Sequence, residues 1–407
     1  MLLIRLAFRN IFRQARRTLL TMLSMTGGYV LCAAAISLQA GSYANVIGFF
    51  VGDHTGHIQV HEGNYLQRPR IHQSIVKPDA IVSIIEKNNE IAGSTTRVFA
   101  PSLAYGTDKS TPANVIGIDV ELEATTSTLK MKVSEGEYLK SEPDSDGYFD
   151  AMIGRGIADL LKIGVGDELI LISAGADGSI ANDIFMVRGL IGSSRSPDRL
   201  NVYLPLGAAQ EFLSLGDRVH EFSILINNIE DSIEVARELG EAFPDSLSVD
   251  PWEQVEAAFY RSMAADRQGT YVALGVIVFI VCIGVLNTVW MSVFERTREF
   301  GILRAIGTRP GRISTMVLLE MAILSLLSCA LGFLLALPVV GFMTLVGFEL
   351  PEPVEISGVF MSHLRGEFTM KVFTIPLAFV VTTAVLVSIP PGLRAASITP
   401  IEALGSH

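Results

Sequence analysis

The sequence predicts an α-helical membrane protein with four transmembrane helices and one large extramembrane α+β domain. Three observations lead there. Four apolar segments, about Thr18–Ala40, Tyr271–Val293, Ile313–Leu345 and Val372–Pro391, each reach the ~20 residues needed to cross a bilayer core. Much of the chain is nevertheless wet: its 407 residues are 49% hydrophobic, with a mean hydropathy of +0.43, yet carry a formal charge of −11. That charge is also segregated. Residues 1–18 hold Arg5, Arg9, Arg13, Arg16 and Arg17 with no acid, and 294–312 hold five arginines against Glu295 and Glu299. Residues 41–268 hold 18 basic and 34 acidic side chains, and 346–371 hold two against four. Arginine is retained in the cytoplasm during insertion, so both termini and the 294–312 loop are expected inside and 41–268 outside.

The segments follow in chain order. In 1–17, Ile4, Ala7, Phe8, Ile11, Phe12 and Ala15 recur at helical spacing while Arg5, Arg9, Arg13 and Arg16 share another face. Such a helix lies along the inner membrane surface, and the same arginines also serve as plain stop-transfer charge. The Arg-rich start with Ala33–Ala34–Ala35 is compatible with a cleaved signal peptide as well. A lipobox at Leu31–Cys32 fits less well, because Tyr29 stands where Leu is normal. The first span is read as 18–40, the second as 271–293, the third as 313–345 and the fourth as 372–391. In the third, Gly332, Pro338 and Gly341 predict a kink or an outward turn; Pro376 and Pro390–Pro391 frame the fourth. A loop 346–371 and a tail 392–407 complete the layout. Cys32, Cys282 and Cys329 all fall in apolar segments, so the external domain is not disulfide-stapled.

Within 41–268, Gly56–Glu62 (GHIQVHE) alternates like a strand, Asp79–Lys87 has helical spacing, and Thr95–Leu103 is again strand-like. The pattern recurs at Glu221–Ile226, Ile233–Phe243 and Leu247–Val249. Two βαβ-type halves around an insertion suggest one ferredoxin-like unit. The insertion, about 107–216, reads as mostly β. Within it Leu160–Lys162 ends a short helix at Gly164, and Gly166–Asp167 turns into a strand.

Candidate chemistry is sparse. His54, His57 and His61 invite a metal reading, but on a strand His57 and His61 lie about 13 Å apart, too far to share one zinc. The chain contains no G-x-x-x-x-G-K-S/T, HExxH, CxxC or nucleophile elbow, so neither P-loop nucleotide binding nor hydrolytic catalysis is expected of it. The informative segment is instead 294–312, FERTREFGILRAIGTRPGR, a charged amphipathic helix between two spans with no room for a domain. Glu299, Leu303 and Ile306–Gly307 are expected near one face at three-to-four-residue spacing, bordered by Phe300 and Arg304. A groove on another protein would accept that stripe, with charged contacts fixing its register. The competing reading has the segment at lipid headgroups, held by its arginines. Two polar residues inside spans need partners. Glu320 is close enough to pair with Arg296, Arg298 or Arg312, as a structural ion pair or a proton relay. Asn287 is expected to make an interhelical hydrogen bond.

One span, a large external α/β domain, three further spans and ERTREFGILRAIG (295–307) between the second and third form a specific set. With MIGRGIADLLKIGVGDELIL (152–171) and LRAASITPIEAL (393–404), the chain resembles the MacB, FtsX and LolC/LolE permeases, the mechanotransmission class of ABC transporters. The resemblance covers nearly the whole chain. It implies a bacterial inner-membrane protein with a periplasmic domain made of a Porter-like ferredoxin unit (54–106 and 217–257) and a β-rich Sabre-like insertion (107–216). It implies a separate ATPase dimer that binds ATP and Mg, a second permease copy or paralogue, membrane lipids, and a periplasmic chaperone or adaptor; no cofactor and no nucleic acid. The ATPase would push on Glu295, Arg298, Glu299, Phe300, Leu303, Arg304, Ile306 and Gly307. Four spans without a fused ATPase are most similar to LolC/LolE, which implies lipoprotein release from the inner membrane. The apolar side chains Ile36, Leu38, Val46, Ile47, Phe49, Phe50, Val272, Leu274 and Ile277 would then wall a lipid path, or serve ordinary packing. Two alternatives remain: MacB-like export of peptides, toxins or lipids, and FtsX-like signalling to a cell-wall hydrolase, for which the external domain is large. The hairpin 172–184 is short and lacks proline, a departure from LolC, so a chaperone-binding hook is not implied.

Overall fold

The structure is a computed structural model that describes residues 15–106, 108–356 and 359–399. The surface helix expected before Ala15 and the tail from Pro400 fall outside the described residues. Among the described residues two compact units emerge: a helical one within 15–44, 263–350 and 363–399, and an α+β one within 45–262 and 351–362.

The chain opens with α1 (Ala15–Phe50), 36 residues long, which continues past the expected end of the first span into a π turn, Val51–Thr55. The α+β unit then runs β1 (Ile58–Glu62), α2 (Pro78–Ile85), β2 (Ile91–Tyr105), β3 (Ser110–Ile118), α3 (Val120–Thr126), β4 (Val133–Gly136), β5 (Asp150–Gly154) and α4 (Arg155–Leu161). It continues through β6 (Glu168–Ala174), β7 (Ile180–Ile191), β8 (Asn201–Pro205), α5 (Leu206–Phe212), β9 (Glu221–Ile226), α6 (Ser232–Ala242), β10 (Leu247–Pro251) and the single turn α7 (Trp252–Val255). Strand order is β10-β1-β9-β2-β3-β8-β5-β7-β4, with β6 on β2 and β7. In the first four each strand is antiparallel to its neighbour, and they are joined through α2 and α6, so the halves separated by the insertion close into one split βαβ sheet.

The insertion is not a separate sheet. The 15-residue β2 pairs with β9 over its first half and with β3 from Arg97 to Tyr105, so it carries the ladder straight into the inserted strands. Strand β2 runs through Pro101, α4 is the short helix expected to end at Leu160–Lys162, and α3 and α5 add two helices to a segment the sequence suggested was mostly β. One face of the four-stranded part is apolar: Ile58, Val60, Phe222 and Ile224 pack with Ile81 and Ile85 of α2 and Val235 and Leu239 of α6. The opposite face carries two polar rows set by register, Ser248–His61–Glu221–Arg97 and Asp250–Gln59–Ser223–Thr95. Alternation in GHIQVHE normally marks a solvated face; here Gln59, His61, Thr95, Arg97, Glu221 and Ser223 are all buried. Arg97 compensates its burial with Glu123 of α3 (Nη2 2.7 Å, Nε 3.0 Å) and Glu221 (Nη1 3.1 Å), and His61 Nε2 lies 3.2 Å from Glu221. His57 Nδ1 accepts the Ile226 N–H at 2.9 Å.

The chain continues with α8 (Ala257–Glu295), α9 (Thr297–Ala305), α10 (Pro310–Leu345), a hairpin of β11 (Phe348–Ile356) and β12 (Val359–Leu364), most of which belongs to the α+β unit, and α11 (Met370–Ser397). Among the described residues four helices, α1, α8, α10 and α11, are long and apolar enough to cross a membrane. Helix α10 passes through Pro338 without the expected turn, and α11 runs through Pro390–Pro391 to Ser397. Gly332 has a different use from the one the sequence suggested. A Cβ there would stand 2.9–3.0 Å from the Tyr29 ring, so glycine lets Tyr29 lie against α10 while its hydroxyl donates to Phe373 O at 2.9 Å. Met25, Tyr29, Val281, Val285, Met321, Leu324, Val380 and Ala384 form the shared core of these helices.

Candidate coupling site and apolar groove

Arg296 occupies the break between α8 and α9, and everything around it is arranged to hold α9 down. Its Nη1 reaches both carboxylate oxygens of Glu320 on α10, at 3.0 and 2.9 Å, and its Nε donates to Glu299 at 3.1 Å. The guanidinium lies 5.1 Å over the Phe300 ring, a cation–π distance. Phe300, 1% exposed, packs in one cluster with Ile313, Ala395 and Ile398. Of the three arginines considered for Glu320, Arg296 is the partner, because Glu320 sits on the turn of α10 that faces the break. Gly307, at φ +92, ends the segment: Gly307 N–H bonds Arg304 O and Thr308 N–H bonds Leu303 O, both at 3.0 Å.

The expected outward stripe needs correction. Glu299 is held by Arg296; Phe300 is buried rather than at a border; Leu303 is half-buried against the helical core. Arg304 Nε is buried with no hydrogen-bond partner among the described residues. Ile306 and Gly307 are exposed as expected, but the rest of the outward face differs: Glu295, Arg298, Ile302, Ala305 and Arg309 are exposed at three-to-four-residue spacing with Ile306, Ile302 at 52% and Ile306 at 74%. Packing decides this. A nine-residue helix buries its bulkiest ring, and Phe300 with Leu303 three positions on defines the inward side. That pair was visible in the sequence; Ile302 was missed.

Asn287 also departs from expectation. It is exposed on α8 and its side chain makes no hydrogen bond among the described residues. Its neighbour makes the interhelical contact instead: Thr21 Oγ1 donates to Thr288 Oγ1 at 2.9 Å, and Thr26 Oγ1 donates to Ser328 O at 3.0 Å.

The helical unit contains an apolar groove of about 720 Å³ lined by α1, α8, α10 and Phe348. Leu38 and Ile277 of the expected wall line it. The rest do not: Ile36 packs against the helical core, Leu274 is buried at 6%, and Val272 is exposed elsewhere on α8. Val46 and Ile47 are half-buried beyond the groove, and the side chains of Phe49 and Phe50 lie outside the described residues. Leu31, Ala34 and Ala35 on α1, with Pro338, Val339, Phe342 and Met343 on α10, supply the wall that the sequence reading missed. The small Ala34 and Ala35 beside Leu31 and Leu38 were the available signal.

Residues 18–242 match the MacB-like periplasmic core domain, more than half of the chain, and residues 271–400 match the FtsX-like permease C-terminal domain. Over 79% of its length the chain is 22% identical to the lipoprotein-releasing system transmembrane protein LolE of Haemophilus influenzae, of which the match covers 79%. Over 98% of its length it is 25% identical to the macrolide export ATP-binding/permease protein MacB 2 of Aeromonas hydrophila, of which it spans 60%. Among solved structures, the periplasmic region of MacB from Actinobacillus actinomycetemcomitans matches 54% of this chain and 97% of its own, at 16% identity and a TM-score of 0.39. The chain belongs to the MacB/LolC/LolE family of ABC transporter permeases, multi-pass membrane proteins with a periplasmic α+β domain.

Proposed function

We propose that this permease releases lipid-anchored substrates from the outer leaflet of the inner membrane, driven by an ATPase carried on a separate chain. The apolar groove carries the reading. It is open, lined almost wholly by hydrocarbon, and bounded by small and branched side chains of three helices, the kind of surface an acyl chain can leave bilayer lipid to occupy. The likeness to LolE, named for lipoprotein release, supports the same reading. Force would enter at α9: its outward Arg298–Ile302–Ile306 face suits a groove on the ATPase, and Arg296 with Phe300 fixes α9 to α10 and α11 so that a push is not absorbed locally. A second permease copy or a paralogue would supply the partner that Asn287 lacks. The arginine-rich 1–18 and 294–312 segments support an orientation with α9 and both termini in the cytoplasm.

The test is reconstitution with the co-purifying ATPase and a fluorescent triacylated peptide in liposomes. Ala35→Trp, which fills the groove, should abolish release while ATP hydrolysis continues. Release unchanged by Ala35→Trp would remove the groove from the mechanism. A cysteine at Ala176 or Asn182 should react with impermeant reagent from the periplasm and one at Thr308 should not; reversed labelling would overturn the orientation. Adaptor-driven export is the second reading, favoured by the near full-length match to MacB 2. It predicts that Ala35→Trp leaves transport of a soluble peptide intact.

A further inference from the structure

The polar face of the α+β unit borders a cavity of about 240 Å³. Strands β1, β2 and β9 form one side, α3, β3 and β8 of the inserted segment another, and Glu256, the residue before α8, a third. Three carboxylates (Glu123, Glu221, Glu256) face one guanidinium, Arg97, so the wall carries excess negative charge.

The donors in that wall are engaged. Arg97 is committed to Glu123 and Glu221, and the Tyr203 hydroxyl and Asn201 amide donate to Asp198 at 2.7 and 3.1 Å. What remains is a set of acceptors. Gln59, only 6% exposed, donates its Nε2 to Thr55 O at 3.0 Å, and its Oε1 accepts no hydrogen bond among the described residues. The Glu256 carboxylate likewise has no partner among them. Phe99 and Tyr203 add aromatic surface. An amide oxygen with no donor and an unpaired carboxylate, both bordering the cavity beside aromatic rings, ask for a cationic donor on an apolar body.

We propose that this cavity binds a small organic cation, an ammonium group carried on a short apolar or aromatic body. An anion would meet the surplus carboxylates. A bare metal ion would lack ligands, since no group of three His, Cys, Asp or Glu among the described residues is placed to hold one. Bound there, the ammonium bridges Glu256 to β1 and β9 and ties the connector that leads into α8 to the sheet. The site is independent of what the apolar groove carries.

The experiment is calorimetric titration of the full chain in nanodiscs with tyramine, with its uncharged analogue tyrosol, and with a blocked Gly-Lys-Gly peptide. Tyramine should saturate, tyrosol should bind about tenfold more weakly or not at all, and Glu256→Gln should weaken tyramine about tenfold without moving the unfolding midpoint. Glu256→Lys, which supplies its own ammonium, should abolish binding in a folded protein. A blocked peptide as tight as tyramine would identify the cation as a basic side chain; tyramine alone would identify a free amine. No saturable tyramine binding at millimolar concentration, equal affinity for tyrosol, or unchanged affinity in Glu256→Gln would each overturn the proposal in favour of a water-filled cavity.

Discussion

Arg97 and Arg296 each hold two carboxylates, but in opposite settings. Arg296 takes Glu299, three residues on, and Glu320, at the near end of the next helix. Arg97 takes Glu123 and Glu221 from a helix and a strand far along the chain, on a buried sheet face that borders a small cavity. Burial alone would discharge Arg97, yet the facing Glu123 and Glu221 outweigh it and hold its pKa above the ordinary arginine value. Burial pushes Glu123 up as well, but the Arg97 charge and the hydrogen bonds from Arg97, Ser127 and Thr95 hold it below the usual carboxylate value. The difference teaches where each pair acts. The Arg97 cluster ties distant parts of one unit together; the Arg296 clamp fixes α9, the helix on which the proposed force transmission rests.

The largest effect should come from Arg97→Met, which strands two buried carboxylates. It should cost about 3–5 kcal/mol, read as a lowered denaturant midpoint for the α+β unit in full chain. A loss below about 1 kcal/mol would mean the cluster is solvated and the contrast with Arg296 false. Arg296→Met should cost less, about 1–3 kcal/mol, because its side chain is nearer the surface. Its distinctive sign should be faster tryptic cleavage at Arg298 and Arg304 as α9 loosens, with the α+β unit unchanged.

Acid sharpens the comparison further. His57 Nδ1 accepts the Ile226 N–H and His220 Nδ1 the Phe99 N–H, both at 2.9 Å, so each is native when neutral. Burial holds both below the ordinary histidine value of 6.5. The unfolded chain therefore takes up protons first. Stability of the α+β unit should be full above pH 6.5 and fall as pH drops below it toward the folded pKa values, whereas the α9 clamp contains no histidine and should not respond. Unfolding midpoints at about pH 7.5 and about pH 5.5 check this, and His57→Gln with His220→Gln should flatten the dependence.

Legibility in the sequence follows the same division. The four spans were readable because a bilayer demands a long apolar run whatever packs around it. The ends of α1 and α8 were not, since a helix can continue into polar surroundings without any change of backbone geometry. The ferredoxin-like halves were readable from period-two and helical spacing. The fusion of the insertion through β2 and the burial of the GHIQVHE polar face were not, because register between distant strands puts Arg97 beside Glu221 and no local spacing encodes it. At the coupling site, the arginine clamp was among the named pairings, and Ile306 and Gly307 are exposed as expected, but Leu303 turns inward and Ile302 takes its place outside. Which side of a nine-residue helix turns inward depends on what Phe300 finds to pack against. Gly307 illustrates the practical cost: at φ +92 any side chain strains the turn, so a bulky residue there would test the turn rather than the docking face.

The smallest structural effect should accompany the largest functional one. Ile302→Asp with Ile306→Asp changes only exposed positions and should move stability by about 0.5 kcal/mol or less, while Leu303→Asp, half-buried against the helical core, should destabilise visibly. The decisive measurement is capture of the proposed separate ATPase subunit by the tagged permease in detergent, comparing the native chain with the Ile302→Asp/Ile306→Asp variant. A correctly folded variant that no longer retains the ATPase is the predicted result. Undiminished ATPase retention and undiminished release activity in that folded variant would contradict the assignment of α9 as the surface on which the motor pushes.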